Sequence, residues 1–123
     1  MKLIFISGPF RASNAWEIEH NIRQAEAIAL ELWRMGFAVI CPHTNTRFFQ
    51  GAAPDKIWLQ GYLEMLRRCD AIYQMPNSSK SEGCKVELEF AKDHNTPIID
   101  TLYAARLFLK KETDHLILRS ILI

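Results

Sequence analysis

KLIFISGP, residues 2–9, is the stretch on which the fold turns. Leu3, Ile4, Phe5 and Ile6 form an unbroken apolar run that Gly8-Pro9 stops, the pattern of a buried strand closed by a turn. Beyond it, Ser13 or Asn14 stands where a helix cap belongs. Ile18, Ile22, Ala25, Ala29 and Leu32 then recur every three or four positions until Gly36, which predicts an amphipathic helix with a glycine stop. A second short apolar run, FAVIC at residues 37–41, ends at Pro42. Strand, helix and strand in this order predict a right-handed parallel crossover.

The same alternation continues. Residues 44–55 have no apolar period and contain Gly51 and Pro54, so they read as a long loop, with Asp55 able to cap a second helix. Ile57, Leu59, Tyr62, Leu63, Leu66 and Cys69 fall on one side of that helix, with Arg67 and Arg68 near its C-terminus, where cations suit the helix dipole. DAIYQM (70–75) and PIID (97–100) read as strands three and four, and NSSKSEGCKVELEFA (77–91) as a polar loop running into a third helix. Residues 102–111 fit a further helix. HLILRSILI (115–123) fits either a fifth strand or a helix, and its apolarity predicts burial at the sheet edge or against a second subunit. The expectation is an α/β fold, a Rossmann-like three-layer αβα arrangement with a mostly parallel sheet of four to five strands, as one domain over residues 1–123. The loops at 8–11, 42–45 and 77–83 should then share the rim beyond the carboxyl ends of the strands.

Composition narrows the function classes. With 49% hydrophobic residues the chain can build a real core. Fifteen basic against fourteen acidic residues, a formal +1, imply no general attraction to a nucleic-acid polymer or a membrane. Cys41, Cys69 and Cys84 are an odd set without Cys-x-x-Cys spacing, which points to reduced thiols in a cytoplasm and away from disulfides or zinc. The apolar start is too short for a signal peptide, and no run approaches a membrane span, so a soluble cytoplasmic protein is expected.

Several residues stand out as chemistry. Ser81 can cap the third helix, whose free N–H groups attract anions, and Glu87 falls about one and a half turns inside at roughly 100° per residue, so its carboxylate can share a cleft with that end. Arg11, after strand one, carries a planar fork suited to phosphate. His43, after strand two, has both a structural reading and one as a base-contacting or proton-transferring group. Trp16, Trp33, Phe48, Phe49 and Trp58 read mostly as core or interface, though Phe48 and Phe49, in the long loop, could instead stack on a base. Asp70 reads as a strand-opening residue that satisfies nearby N–H groups.

ISGPFR (6–11), the NI and repeated alanines of 21–29, CPHT (41–44), RCDAI (68–72) and SEGCKVELEFA (81–91) resemble, in order and spacing over nearly the whole chain, the nucleoside 2-deoxyribosyltransferase superfamily. That superfamily holds enzymes exchanging bases between deoxynucleosides, hydrolases of 2′-deoxynucleoside 5′-monophosphates, and short phage and bacterial proteins of unassigned function, to which this chain is most similar. The resemblance implies that Glu87, set among Ser81, Gly83 and Ala91, is a nucleophile, and that Gly8 and Arg11 meet a phosphate. Pro9 replaces a serine of the hydrolases, Phe5 a ligand-contacting tyrosine, and Tyr62 the catalytic aspartate. The implied activity is cleavage or exchange of the N-glycosidic bond of a bound nucleoside or nucleotide. Glu87 and Tyr62 would be catalytic in it, and Gly8, Pro9, Arg11, His43, Ser81 and Gly83 would bind substrate. No metal or organic cofactor is implied, and a homodimer or larger assembly is expected. The alternative is a non-catalytic nucleotide sensor or phage accessory protein that keeps the pocket without the aspartate.

Overall fold

The structure, a computed structural model, describes residues 1–111. The expected strand or helix at 115–123 lies outside them. Strands β1 (Leu3–Ser7), β2 (Ala38–Ile40), β3 (Ala71–Gln74) and β4 (Ile98–Ile99) alternate with helices α1 (Ala15–Met35), α2 (Pro42–Asn45), α3 (Asp55–Arg67) and α4 (Glu82–Asp93). A further helix, α5, starts at residue 102 and runs to 111, the last described residue. The strands form one sheet in the order β2-β1-β3-β4, every pair parallel, with Phe5 opposite Ile40 on one side and Ile72 on the other.

Side chains alternate along a strand, so β1 sorts its residues between two cores. Ile4 and Ile6 pack with Ala25, Ala29 and Leu32 of α1 and Ala105 of α5. Phe5 and Ile72 pack on the opposite face with Tyr62 and Leu66 of α3 and Ala91 of α4. This is a three-layer α/β fold with both faces of a parallel sheet covered. Ser7 shares the parity of Phe5 and therefore faces α4.

Local chemistry accounts for the ends. Asn14 caps α1, its Oδ1 accepting from the Glu17 N–H at 2.9 Å, and Gly36 ends the helix at φ 108°, a left-handed conformation that glycine adopts without a Cβ penalty. Asp70 opens β3 by accepting from the Leu3 N–H at 2.7 Å, a partner in the neighbouring strand's sequence and not a local one. Three expectations need correction. The long loop begins as the short helix α2, because Pro42 suits a first helical turn. Asp55 is not a cap: it is the first residue of α3, flanked by Pro54. Trp16 and Trp33 are exposed on α1 and not core, and Ile57 of α3 is half exposed.

Gly8 is required by a close approach. A Cβ there would lie 2.4 Å from the Met75 sulfur and 3.1 Å from its Cβ, and Met75 is buried. Gly8→Ala is expected to cost about 1–3 kcal/mol through overpacking, read from the urea midpoint at unchanged slope.

Candidate active site

The strand order reverses direction between β1 and β3: α1 leaves β1 on one face of the sheet, and α3 precedes β3 on the other. A cleft of about 910 Å³ opens there, beyond the carboxyl ends of the strands, where such folds hold ligands. Glu87 and Tyr62 line it, together with Gly8, Pro9 and Arg11 from the loop after β1, His43 from α2, and Ser81 and Gly83 at the start of α4. Glu87, Tyr62 and the six residues expected to bind substrate thus reach one cavity, though each is held there differently.

Glu87 is half-buried, and the Ser7 hydroxyl donates to its Oε1 at 2.8 Å. Burial pushes its carboxyl up to about 7, and the Ser7 hydrogen bond works against that rise. One turn earlier on α4 lies the buried Cys84 thiol, whose pKa the Ser81 and Ser7 hydroxyls act to lower. Burial raises that thiol, and likewise Cys41, while Cys69 is pushed up to about 12, so none of the three is a thiolate nucleophile near neutral pH. Ser81 caps α4 by accepting from the Cys84 N–H at 3.3 Å, and Gly83 lines the cleft where an added Cβ would touch the Ser81 Oγ at 3.9 Å.

His43 is buried, and its Nε2 lies 3.1 Å from the Gly8 carbonyl oxygen and 3.0 Å from that of Pro9. Two acceptors on one nitrogen require that nitrogen to carry the proton. Burial lowers the pKa of the ring, so the neutral tautomer protonated at Nε2 ties the loop after β1 to α2. Arg11 is exposed and pairs with Asp55, which also lines the cleft. The charge expected to face a ligand therefore already has a carboxylate partner.

Tyr62 is buried edge-on to Phe5, with ring centroids 6.2 Å apart. Its hydroxyl donates to Thr46 Oγ1 at 2.9 Å, lies 3.3 Å from the Pro42 carbonyl oxygen and accepts from Asn45 Nδ2 at 3.2 Å. It stitches α3 to the segment containing α2. Tyr62→Phe is expected to lower stability by about 1–2 kcal/mol through these lost hydrogen bonds, measurable by chemical denaturation. Neither loop phenylalanine lines the cleft. Phe48 is exposed beneath the Arg47 guanidinium at 4.8 Å, Phe49 lies 5.6 Å from the Trp58 ring, and Arg47 is gripped by Glu19 of α1 at 2.5 and 2.6 Å.

Sequence reasoning missed Ser7 and the pairing of Asp55 with Arg11. The first carried a signal: a hydroxyl at the end of a buried strand, two positions after a core residue, faces the same side as that residue. The second carried none, because 44 residues separate the partners. Among the described residues no group of three or more His, Cys, Asp or Glu is placed to hold a metal ion, and no described helix is long and apolar enough to cross a membrane.

A family model described as a domain of unknown function, DUF7768, matches residues 2–101. The chain belongs to this family. The DUF7768 match spans β1 through β4 and so includes every cleft residue named here. No curated protein matches the chain. Among solved structures, it is similar to a 2-deoxyribosyltransferase from the psychrotolerant bacterium Bacillus psychrosaccharolyticus. The TM-score is 0.62 at 15% identity, over 78% of this chain and 69% of the other. At that identity the likeness is one of fold, and it agrees with the parallel three-layer arrangement of this DUF7768 chain.

Proposed function

We propose that the chain, as a single nucleoside 2-deoxyribosyltransferase-like domain, binds a nucleoside or nucleotide and cleaves or exchanges its N-glycosidic bond through Glu87. The observation that carries this reading is a half-buried carboxylate anchored by a buried hydroxyl within a 910 Å³ cleft at the strand ends. The likeness in fold to a 2-deoxyribosyltransferase supports it. As the bond from C1′ to the base nitrogen breaks, its electron pair leaves with the base and positive charge builds on the sugar. The Glu87 carboxylate is suited to meet that charge and to form an ester at C1′. Water or an acceptor base then attacks C1′ and releases the carboxylate. Gly8, Pro9, Arg11, His43, Ser81 and Gly83 surround the ligand in this reading, with His43 acting by holding the Gly8-Pro9 carbonyls in place.

A second reading is a nucleotide-binding protein without turnover, and the Tyr62 hydroxyl favours it. Its proton is engaged by Thr46 and the Pro42 carbonyl, and Asp55, an acid that also lines the cleft, is engaged with Arg11. The experiment that separates the two incubates the protein with a panel of deoxynucleosides and their 5′-monophosphates, alone and with free acceptor bases, beside thermal-shift measurements on the same ligands. Released or exchanged base supports catalysis. Stabilisation without turnover supports binding alone, and neither result with any ligand sinks both readings. We also propose a homodimer or larger assembly, which light scattering of a monomer at micromolar concentration would contradict.

A further inference from the structure

We propose that Ser7 is the positioning residue for Glu87, holding Oε1 as a fixed oxygen and leaving Oε2 as the oxygen that meets the ligand. This deepens, and rests on, the reading of Glu87 as the reacting carboxylate. Ser7 is fully buried at the end of an otherwise apolar strand, where a hydroxyl costs free energy unless it is hydrogen-bonded. Packing alone gives no reason for a serine there. The hydroxyl finds its acceptor 80 residues away, in Glu87 Oε1 at 2.8 Å.

The anchor is stiff. β1 is paired on both sides, Ser7 stands in register with Gln74, and its carbonyl accepts from the Met75 N–H at 2.9 Å, so only one side-chain torsion of Ser7 is free to move the Oγ. Glu87, by contrast, has three torsions, and a carboxylate with neither oxygen tied would sample many orientations. With Oε1 bonded to Ser7, Oε2 carries no hydrogen bond from any described residue, and the side chain lines the cleft. One oxygen is therefore held by the sheet while the other is presented to the ligand.

The same bond favours the ionised carboxylate, which is the form that can attack carbon. Cys84 and Glu82 on its own helix, Tyr62, Asp55 and Lys56 on α3, His43 on α2, and Arg11 and Lys80 on the flanking loops are the other titratable groups around the cleft. None of them sets the charge state of Glu87. Burial raises its pKa and Ser7 lowers it.

The test is a carbon-13 NMR titration of the free protein labelled at the glutamate side-chain carboxyl, with Glu87→Gln used to assign the resonance. Wild type is compared with Ser7→Ala, which removes the hydroxyl, and with Ser7→Cys, which fills its space with a weak donor. The Glu87 midpoint is expected to rise by about one pH unit in both variants, while Ser7→Cys keeps a near-native melting temperature. An unchanged midpoint in both variants overturns the proposal, because a serine present only for packing would leave the titration alone. On a substrate that wild type turns over, both variants should lose about fivefold in kcat at pH 7 with KM little changed, and should recover at higher pH. Absence of base release by wild type on the whole panel removes the reaction assigned to Glu87, whereas the titration still decides whether Ser7 governs that carboxylate.

Discussion

Glu87→Gln is expected to reduce base release from a deoxynucleoside by at least about a thousandfold, the scale of loss when a covalent nucleophile is removed. Glutamine keeps the volume and can still accept from Ser7 through its amide oxygen, so the cleft retains its shape. What disappears is the negative charge at the developing cation and the atom that would form the ester. Binding should survive, and ligand-induced thermal stabilisation should stay within a few-fold of wild type in apparent Kd. The measurement is initial base release by chromatography, with thermal shift on the same samples. Equal rates for the variant and wild type would show that the bond is broken elsewhere or by a contaminant.

The second large effect is on stability, and it needs no substrate. The Glu87 carboxyl is pushed from an ordinary value of 4.5 up to about 7 by burial. Between those values the native state keeps a proton that the unfolded chain has already released, so stability falls as pH rises through this window and the full loss persists above about 7. At 1.36 kcal/mol for each pH unit, the loss is on the order of 3 kcal/mol. Glu87→Gln cannot ionise and should lack this fall, so the variant is expected to be the more stable protein at pH 8 and to lose its advantage near pH 4.5. Urea denaturation of both proteins from pH 4.5 to 8 checks this. Parallel pH profiles would mean that Glu87 titrates alike in the folded and unfolded chains. The two predictions express one conflict: burial that makes the carboxylate a better nucleophile once ionised also makes its ionisation destabilising.

Much of this architecture was legible in the chain because it is periodic. The Ile22-Ala25-Ala29-Leu32 stripe became the buried face of α1, and Gly36 ended that helix in the left-handed conformation that its position implied. Ser81 capped α4 because a hydroxyl three residues before a free N–H can do so whatever lies elsewhere. The loop at 44–55 was less legible. Its course is decided by the Tyr62 hydroxyl and by Glu19 gripping Arg47, contacts with other elements that leave no local pattern. The aromatic residues misled for a related reason. Trp16 and Phe48 have the bulk of core residues, but where a side chain points depends on the packing of its whole element, and both are exposed.

For the cleft, the sequence by itself determined which loops would meet, since three consecutive parallel strands must deliver their C-terminal loops to one rim. It also determined that Glu87 sits within reach of the capped start of α4, because helix phase is a local property. Only the tertiary structure decided what each side chain does there: Ser7 reaches Glu87 across 80 residues, Asp55 takes Arg11 across 44, and the Tyr62 hydroxyl turns to α2. Hydrogen bonds of this kind depend on ångström-scale placement of elements packed against one another. That placement is set by volumes and side-chain parity across the sheet, and spacing along the chain does not encode it.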